Sequence, residues 1–184
     1  VLLDSIARRR SPKGFVEKSI EPEQLRLVLE AARWSPSSRN EQPWRFVVAT
    51  CENKSQFSLM LETLTKKNQE WAKQAAVLIT VIAKTTFERD GATNHHAQYD
   101  TGGAVANLTL QAVSLGLQVH QMAGFDNTKL RSSFDVPSEF EPLTVLAIGY
   151  ADETALVQKQ RSRKELQEFV FESRWANPAR LMKS

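Results

Sequence analysis

Three cations and a hydroxyl, Arg9, Arg10, Lys13 and Ser11, fall within five consecutive positions near the start of the chain. A phosphate dianion is best held by two or more cations together with hydroxyl or main-chain donors, and this run supplies both. A second basic run, Lys159, Arg161, Arg163 and Lys164, stands near the end. There Arg161 and Arg163 point the same way if the backbone is extended. Should the fold bring the two runs together, they would form one anion site. Taken singly, each reads more readily as a solvated charge run.

Between them lies Ser35-Pro36-Ser37-Ser38-Arg39-Asn40-Glu41-Gln42-Pro43-Trp44. Its prolines fix φ and donate no main-chain hydrogen bond, while its serines, asparagine and glutamine carry short-range donors and acceptors. Such a loop is neither helix nor strand. It is stiff and dense in polar side chains, which suits it to gripping a flat polar ligand; the plainer alternative is a turn whose serines only bond their own backbone. Other chemistry has little support. There is no G-x-G-x-x-G after a strand, no G-x-x-x-x-G-K-[ST], no G-x-S-x-G and no H-E-x-x-H. Adjacent His95 and His96 point apart on most backbones and lack an evident third ligand, so no metal is expected. His120 reads as a core histidine.

Periodicity predicts the elements that must position these residues. Leu2, Leu3 and Ile6 give a short helix that runs into Arg8-Arg9-Arg10 and breaks at Ser11-Pro12, because a residue before proline is pushed out of the helical region. Pro22 is placed as the first residue of a second helix, whose Leu25, Val28, Leu29 and Ala32 form one buried stripe. Strands are predicted near 45–50, 76–83, 117–122 and 143–150. The second is apolar on both alternating faces and rich in β-branched residues, which argues for burial on both sides. Phe57, Met60, Leu61 and Leu64 give a helix closed by Lys66-Lys67-Asn68, with Gln69-Glu70-Trp71 as a short turn.

A longer helix, apolar almost all round, spans 100–115, with Gly116 as its C-terminal cap. Near its start Gly102, Gly103, Ala104 and Ala106 would let another backbone approach closely. Asp126 caps the helix that carries Leu130 and Phe134. The polar stretch 85–98 has no period and is expected to be a mobile flap or a variable insertion. Four strands separated by helices predict an α+β chain, a mixed sheet wrapped by helices.

The 184 residues and 41% hydrophobic content suit a single domain, 1–184, with 151–184 as its C-terminal arm. In that arm Phe169, Val170, Phe171 and Trp175 are too few for a core of their own and need another surface, the domain's own or a neighbouring subunit's. The formal charge of +3, from 24 basic and 21 acidic residues, is too small to mark a nucleic-acid binder unless it is clustered. No tryptophan or tyrosine interleaves the basic runs, so nucleic acid is not an expected partner. The one cysteine, Cys51, excludes an intrachain disulfide and a multi-thiolate metal site. With no leader-like start and no apolar run long enough to span a bilayer, a cytoplasmic protein with no membrane partner is expected.

Taken together, Arg9-Arg10-Ser11-Pro12-Lys13-Gly14-Phe15 and the run from Ser35 through Trp44 to Arg45-Phe46 resemble the flavin-dependent nitroreductase family. The order and spacing of Ala-Asn-Leu-Thr-Leu-Gln-Ala at 106–112, Leu115-Gly116-Leu117, Gly124-Phe125-Asp126 and the late basic segment agree with it. The resemblance covers nearly the whole chain. It implies a nitroreductase-like α+β fold forming an intertwined homodimer, with FMN at the interface and the C-terminal extension crossing to the partner.

Position by position, the resemblance implies that Arg9, Arg10, Ser11 and Lys13 meet the FMN phosphate, ribityl chain and pyrimidine edge. Pro36, Ser37, Ser38 and Asn40 would come from the other subunit to meet the isoalloxazine. Asn68 would contact the pyrimidine, Ala123 and Gly124 would present backbone to the central ring, and Arg161 and Arg163 would complete the phosphate site. The implied activity is ping-pong hydride transfer from NADH or NADPH, through flavin N5, to an electron-poor small molecule: a nitroaromatic, quinone, enone or aldehyde. No side chain is implied as catalytic, although Lys13 near the pyrimidine would stabilise an anionic reduced flavin. Ala123 stands where some relatives carry an acidic side chain, and 85–98 is shorter than the helical insertion that roofs the site in many larger relatives. Two alternatives stay open: a reductive dehalogenase or specialised dehydrogenase on the same fold, and a flavin-binding or basic-patch protein without turnover.

Overall fold

A strand that is apolar on both alternating faces has to be covered on both sides. In the computed structural model, which describes residues 1–156 and 162–180, that strand is β2 (Val77–Lys84), buried from Val77 through Ala83. It lies inside a four-stranded sheet with β1 (Trp44–Thr50), β3 (Gln118–Met122) and β4 (Phe140–Gly149), in the order β1-β2-β4-β3. Around the sheet run α1 (Asp4–Arg8), α2 (Pro22–Arg33), α3 (Lys54–Leu61), α4 (Lys66–Ala72), α5 (Ala97–Ser114), α6 (Asn127–Ser133) and α7 (Glu153–Leu156).

The α+β class is as expected, but every described pairing of the sheet is antiparallel rather than mixed. The β1–β2 connection shows why. It holds two short helices in series, α3 and α4, which bring the chain back to the end it left, where the Cys51 N–H donates to the Ala76 carbonyl at 2.8 Å.

The alternation of β2 divides the core. Val77, Ile79 and Val81 join Val28 of α2 and Leu108 of α5 on one face; Leu78 joins Met60 of α3 and Trp71 of α4 on the other. Leu78 and Leu108 are fully buried, so truncating either to alanine would cost about 2–5 kcal/mol. Pro22 opens α2 as expected. Asp126 caps α6 by accepting from the Lys129 N–H at 2.9 Å, and Gly116 ends α5 at a φ of +80°.

Two local readings change. Lys66-Lys67-Asn68 do not close a helix; they open α4, which continues through Trp71, while Leu64 leaves α3 to pair with Phe125. Segment 85–98 is a tethered turn rather than a free flap: Thr86 pairs with Thr93, the Asn94 N–H donates to the Thr85 carbonyl at 2.8 Å, and α5 starts at Ala97.

The arm folds on itself, with Phe171 paired to Pro178 and the Phe171 and Trp175 rings edge to face at 5.0 Å. Phe169 remains 55% and Trp175 88% exposed. No helix among the described residues is long and apolar enough to cross a membrane.

Candidate active site

Directly after α1 the chain passes along β3, whose alternation turns Gln118 and His120 to the same side. The Arg10 main-chain N–H donates to Gln118 Oε1 at 2.8 Å, and His120 Nδ1 lies 2.8 Å from the Pro12 carbonyl oxygen. A carbonyl only accepts, so Nδ1 carries the hydrogen. Arg9 Nη1 donates to Ser11 Oγ at 3.1 Å, and Arg10 Nη1 donates to the carbonyls of Ala7 and Arg9 at 2.8 and 3.0 Å.

Among the described residues, Arg9, Arg10, Lys13 and Arg163 take part in no salt bridge. Arg163 nevertheless stands near Arg9. Burial, then the like charges of Arg163 and Arg10, lowers the Arg9 guanidinium below its ordinary value. Cations gathered without carboxylates favour an anion between them. Arg161 lies outside the described residues.

Further along the same strand, β3 ends at Met122 and the chain continues as Ala123-Gly124. The Gly124 carbonyl accepts from the Thr65 main-chain N–H and from Asn68 Nδ2, both at 3.0 Å. A Cβ on Gly124 would stand 2.8 Å from Asn68 Nδ2 and 3.1 Å from Thr65 Oγ1, so a side chain there would push the Asn68 amide from this position. Ala123 is exposed beside this contact. Asn68 therefore arrives fixed, with its oxygen and second amide hydrogen still to offer. Trp71, one helical turn on, packs its ring 4.5 Å from that of His120, which joins the Gly124 shelf to the basic loop.

The serine loop sits elsewhere, on the first half of α5. Ser38 donates its main-chain N–H to Asp100 Oδ2 at 2.9 Å, and Ser37 Oγ accepts from the Gln42 N–H at 3.0 Å. Ser35 Oγ comes within 3.1 Å of where a Cβ of Gly103 would be, so the small residues of α5 admit this loop. Arg39, Asn40 and Gln42 adopt φ of 56°, 56° and 49°. Arg39 lies 5.1 Å from the Phe87 ring, and Glu41 accepts from the Glu88 N–H at 2.7 Å. Pro36 and Ser37 border a groove of about 730 Å³ against Tyr99, Gly102 and Ala106.

The chain thus brings Arg9, Arg10, Ser11, Lys13, Arg163, Asn68, Ala123 and Gly124 along β3, and holds Pro36, Ser37, Ser38 and Asn40 apart on α5. No hydrogen bond among the described residues joins the two groups. Sequence reasoning missed Gln118, Thr65 and Asp100, and took His120 for a core residue. One signal was available for two of them: polar side chains two apart on a short strand mark one face as something other than core.

The Nitroreductase family model matches residues 6–62 and 52–150. An uncharacterized 15.4 kDa protein of Mycolicibacterium smegmatis is 37% identical over 126 residues, covering 64% of this chain and 84% of that protein. A protein of Stenotrophomonas maltophilia described as a candidate NADH dehydrogenase/NAD(P)H nitroreductase is 27% identical, covering 84% of this chain and 87% of its own length. A solved oxidoreductase containing FMN superimposes with a TM-score of 0.87 at 30% identity, covering 96% of this chain and 94% of that one. With the family model matched along both stretches, the chain belongs to the Nitroreductase family.

Proposed function

We propose that this member of the family is an oxidoreductase that binds FMN and takes electrons from NADH or NADPH, passing them to an electron-poor small molecule such as a nitroaromatic, quinone, enone or aldehyde. The observation that carries this reading is the set of cations along β3 without carboxylate partners among the described residues, beside a main-chain shelf at Ala123-Gly124. These residues fit FMN: a phosphate needs the cations and Ser11, and the polar edge of a flat ring system needs a fixed amide, which Asn68 on the Gly124 carbonyl offers. The FMN content of the solved relative at 30% identity supports it further. When bound, FMN would supply the two-electron chemistry, with hydride passing from the nicotinamide to N5 and on to the acceptor in alternate half-reactions.

The chain's own part is binding, orientation and charge. Arg9, Arg10, Ser11, Arg161 and Arg163 hold the phosphate, and Lys13 sets positive charge toward the pyrimidine edge. Asn68, fixed on the Gly124 carbonyl, presents its remaining amide atoms. No side chain needs to donate or remove a proton. A second copy of the chain supplies Pro36, Ser37, Ser38 and Asn40 in a homodimer, and the arm at 151–184 completes a single domain, 1–184, by reaching to that copy. The exposed Phe169 and Trp175 would gain their covering surface there.

The test is optical. Protein purified as expressed, or reconstituted with FMN, is expected to be yellow and to bleach under anaerobic NADH or NADPH. A colourless preparation that takes up no FMN would contradict the reading.

A further inference from the structure

Between the Arg9 N–H, which donates to the Ser5 carbonyl at 3.1 Å, and the Gly14 carbonyl, which accepts from Asp152 at 3.2 Å, no main-chain group of the basic loop bonds to another main-chain group among the described residues. Pro12 has no N–H to offer. A loop of like charges with no ladder of its own would lose its shape to repulsion and entropy. Its anchors come from β3: Gln118, 9% exposed, takes the Arg10 N–H, and half-buried His120 gives its Nδ1–H to the Pro12 carbonyl, each at 2.8 Å.

We propose that Gln118 and His120 are positioning residues, a two-point clamp that holds the main chain of Arg10–Pro12 in the shape in which Arg9 and Ser11 converge on a phosphate. Neither side chain needs to touch the ligand. The inference rests on reading that loop as the phosphate site.

Three features make His120 suited to the task. The Trp71 ring 4.5 Å away fixes its plane. Burial, opposed by the Pro12 bond and reinforced by the charge of Lys13, lowers its pKa below 6.5, so near neutrality the donor brings no further positive charge into the cation cluster. Its place on β3 ties the loop to a strand paired with β4 from Gln118 to Met122. Gln118 has the corresponding merit of an acceptor that stays neutral at any pH.

The test compares the affinity of the full chain for FMN and for riboflavin, which lacks the phosphate, by quenching of flavin fluorescence. In the unaltered protein FMN is expected to bind about 100-fold more tightly, from two or more charge-assisted contacts. His120→Phe and Gln118→Leu are each expected to cut that preference about tenfold by freeing one anchor. Riboflavin affinity should hardly change. His120→Asn, whose amide nitrogen can stand where Nδ1 stands, should restore most of the loss.

A merely structural role would weaken both ligands together and leave their ratio intact. If the unaltered protein prefers FMN and His120→Phe keeps that preference, the clamp is wrong while the phosphate site stands. If the unaltered protein shows no preference, the phosphate site itself is wrong and the clamp falls with it. Where His120→Phe does not yield folded protein, His120→Gln, whose amide cannot reach the Nδ1 position, takes its place with the same expected loss.

Discussion

Residues 9–13 and residues 35–42 are both irregular, polar and punctuated by proline, yet they are held in opposite ways. The first has no positive φ and lies on side chains of an edge strand, with its cations left without salt bridges among the described residues. The second turns through positive φ at Arg39, Asn40 and Gln42, closes on itself through Ser37 and Gln42, and projects from the small-residue start of α5. A loop shaped from behind by a sheet makes a receptacle. A loop stiffened by its own turns, at about 1–3 kcal/mol for each residue in a sparsely populated region, makes a projection. The projection makes no hydrogen bond to its own chain's receptacle among the described residues, and the two-copy site proposed above requires only that the two stay separate within one chain.

The largest effect is expected at the arm. Truncation after Tyr150 should abolish the dimer and with it FMN retention; a stable truncated dimer in solution scattering would break the link between arm and site. Next comes the receptacle: Arg9→Ala should weaken FMN binding by about 1.5–3 kcal/mol, measured by calorimetry, because a charge-assisted bond to phosphate is lost. Unchanged affinity would remove Arg9 from the site. The projection should respond through its backbone. Asn40→Val, which places a β-branched residue at a φ of 56°, should destabilise the fold by about 1–2 kcal/mol in urea unfolding, whereas Asn40→Gly should be neutral or slightly stabilising.

The smallest effect concerns acid. Because burial lowers the pKa of His120 below 6.5 in the folded chain, the unfolded chain takes up that proton first as pH falls. The stability contributed by neutral His120 is fully present above 6.5 and is lost as pH drops through the lower folded-state value. His120→Asn should flatten this part of the stability profile, and an unchanged profile would show that the histidine does not titrate in that window.

The receptacle and the projection also differ in how far they could be read from residues alone. Periodicity identified α2, the doubly buried β2 and the Asp126 cap, because those features depend on neighbours within a few positions. It misread 66–71, where Trp71 and Ala72 are the only buried residues of α4 and leave too little apolar pattern to mark a helix. The basic loop was visible as composition, yet its support was not: Gln118 and His120 act on residues 108 positions away, a separation no local pattern reports. The serine loop was recognisable as stiff from its prolines, but not its positive φ at Arg39 and Gln42, nor its tethers to Asp100 and Glu88, which lie far along the chain.

Subunit mixing tests the two-copy site most directly. Arg9→Glu disables the receptacle and Ser38→Trp blocks the projection, so each variant alone should fail to retain FMN. A dimer with one chain of each type has one site carrying both defects and one site carrying neither. Differently tagged chains, co-expressed and purified through both tags, should therefore regain FMN at about one site in two. Mixed dimers that form and remain colourless would contradict a site built from the basic loop of one copy and the serine loop of the other.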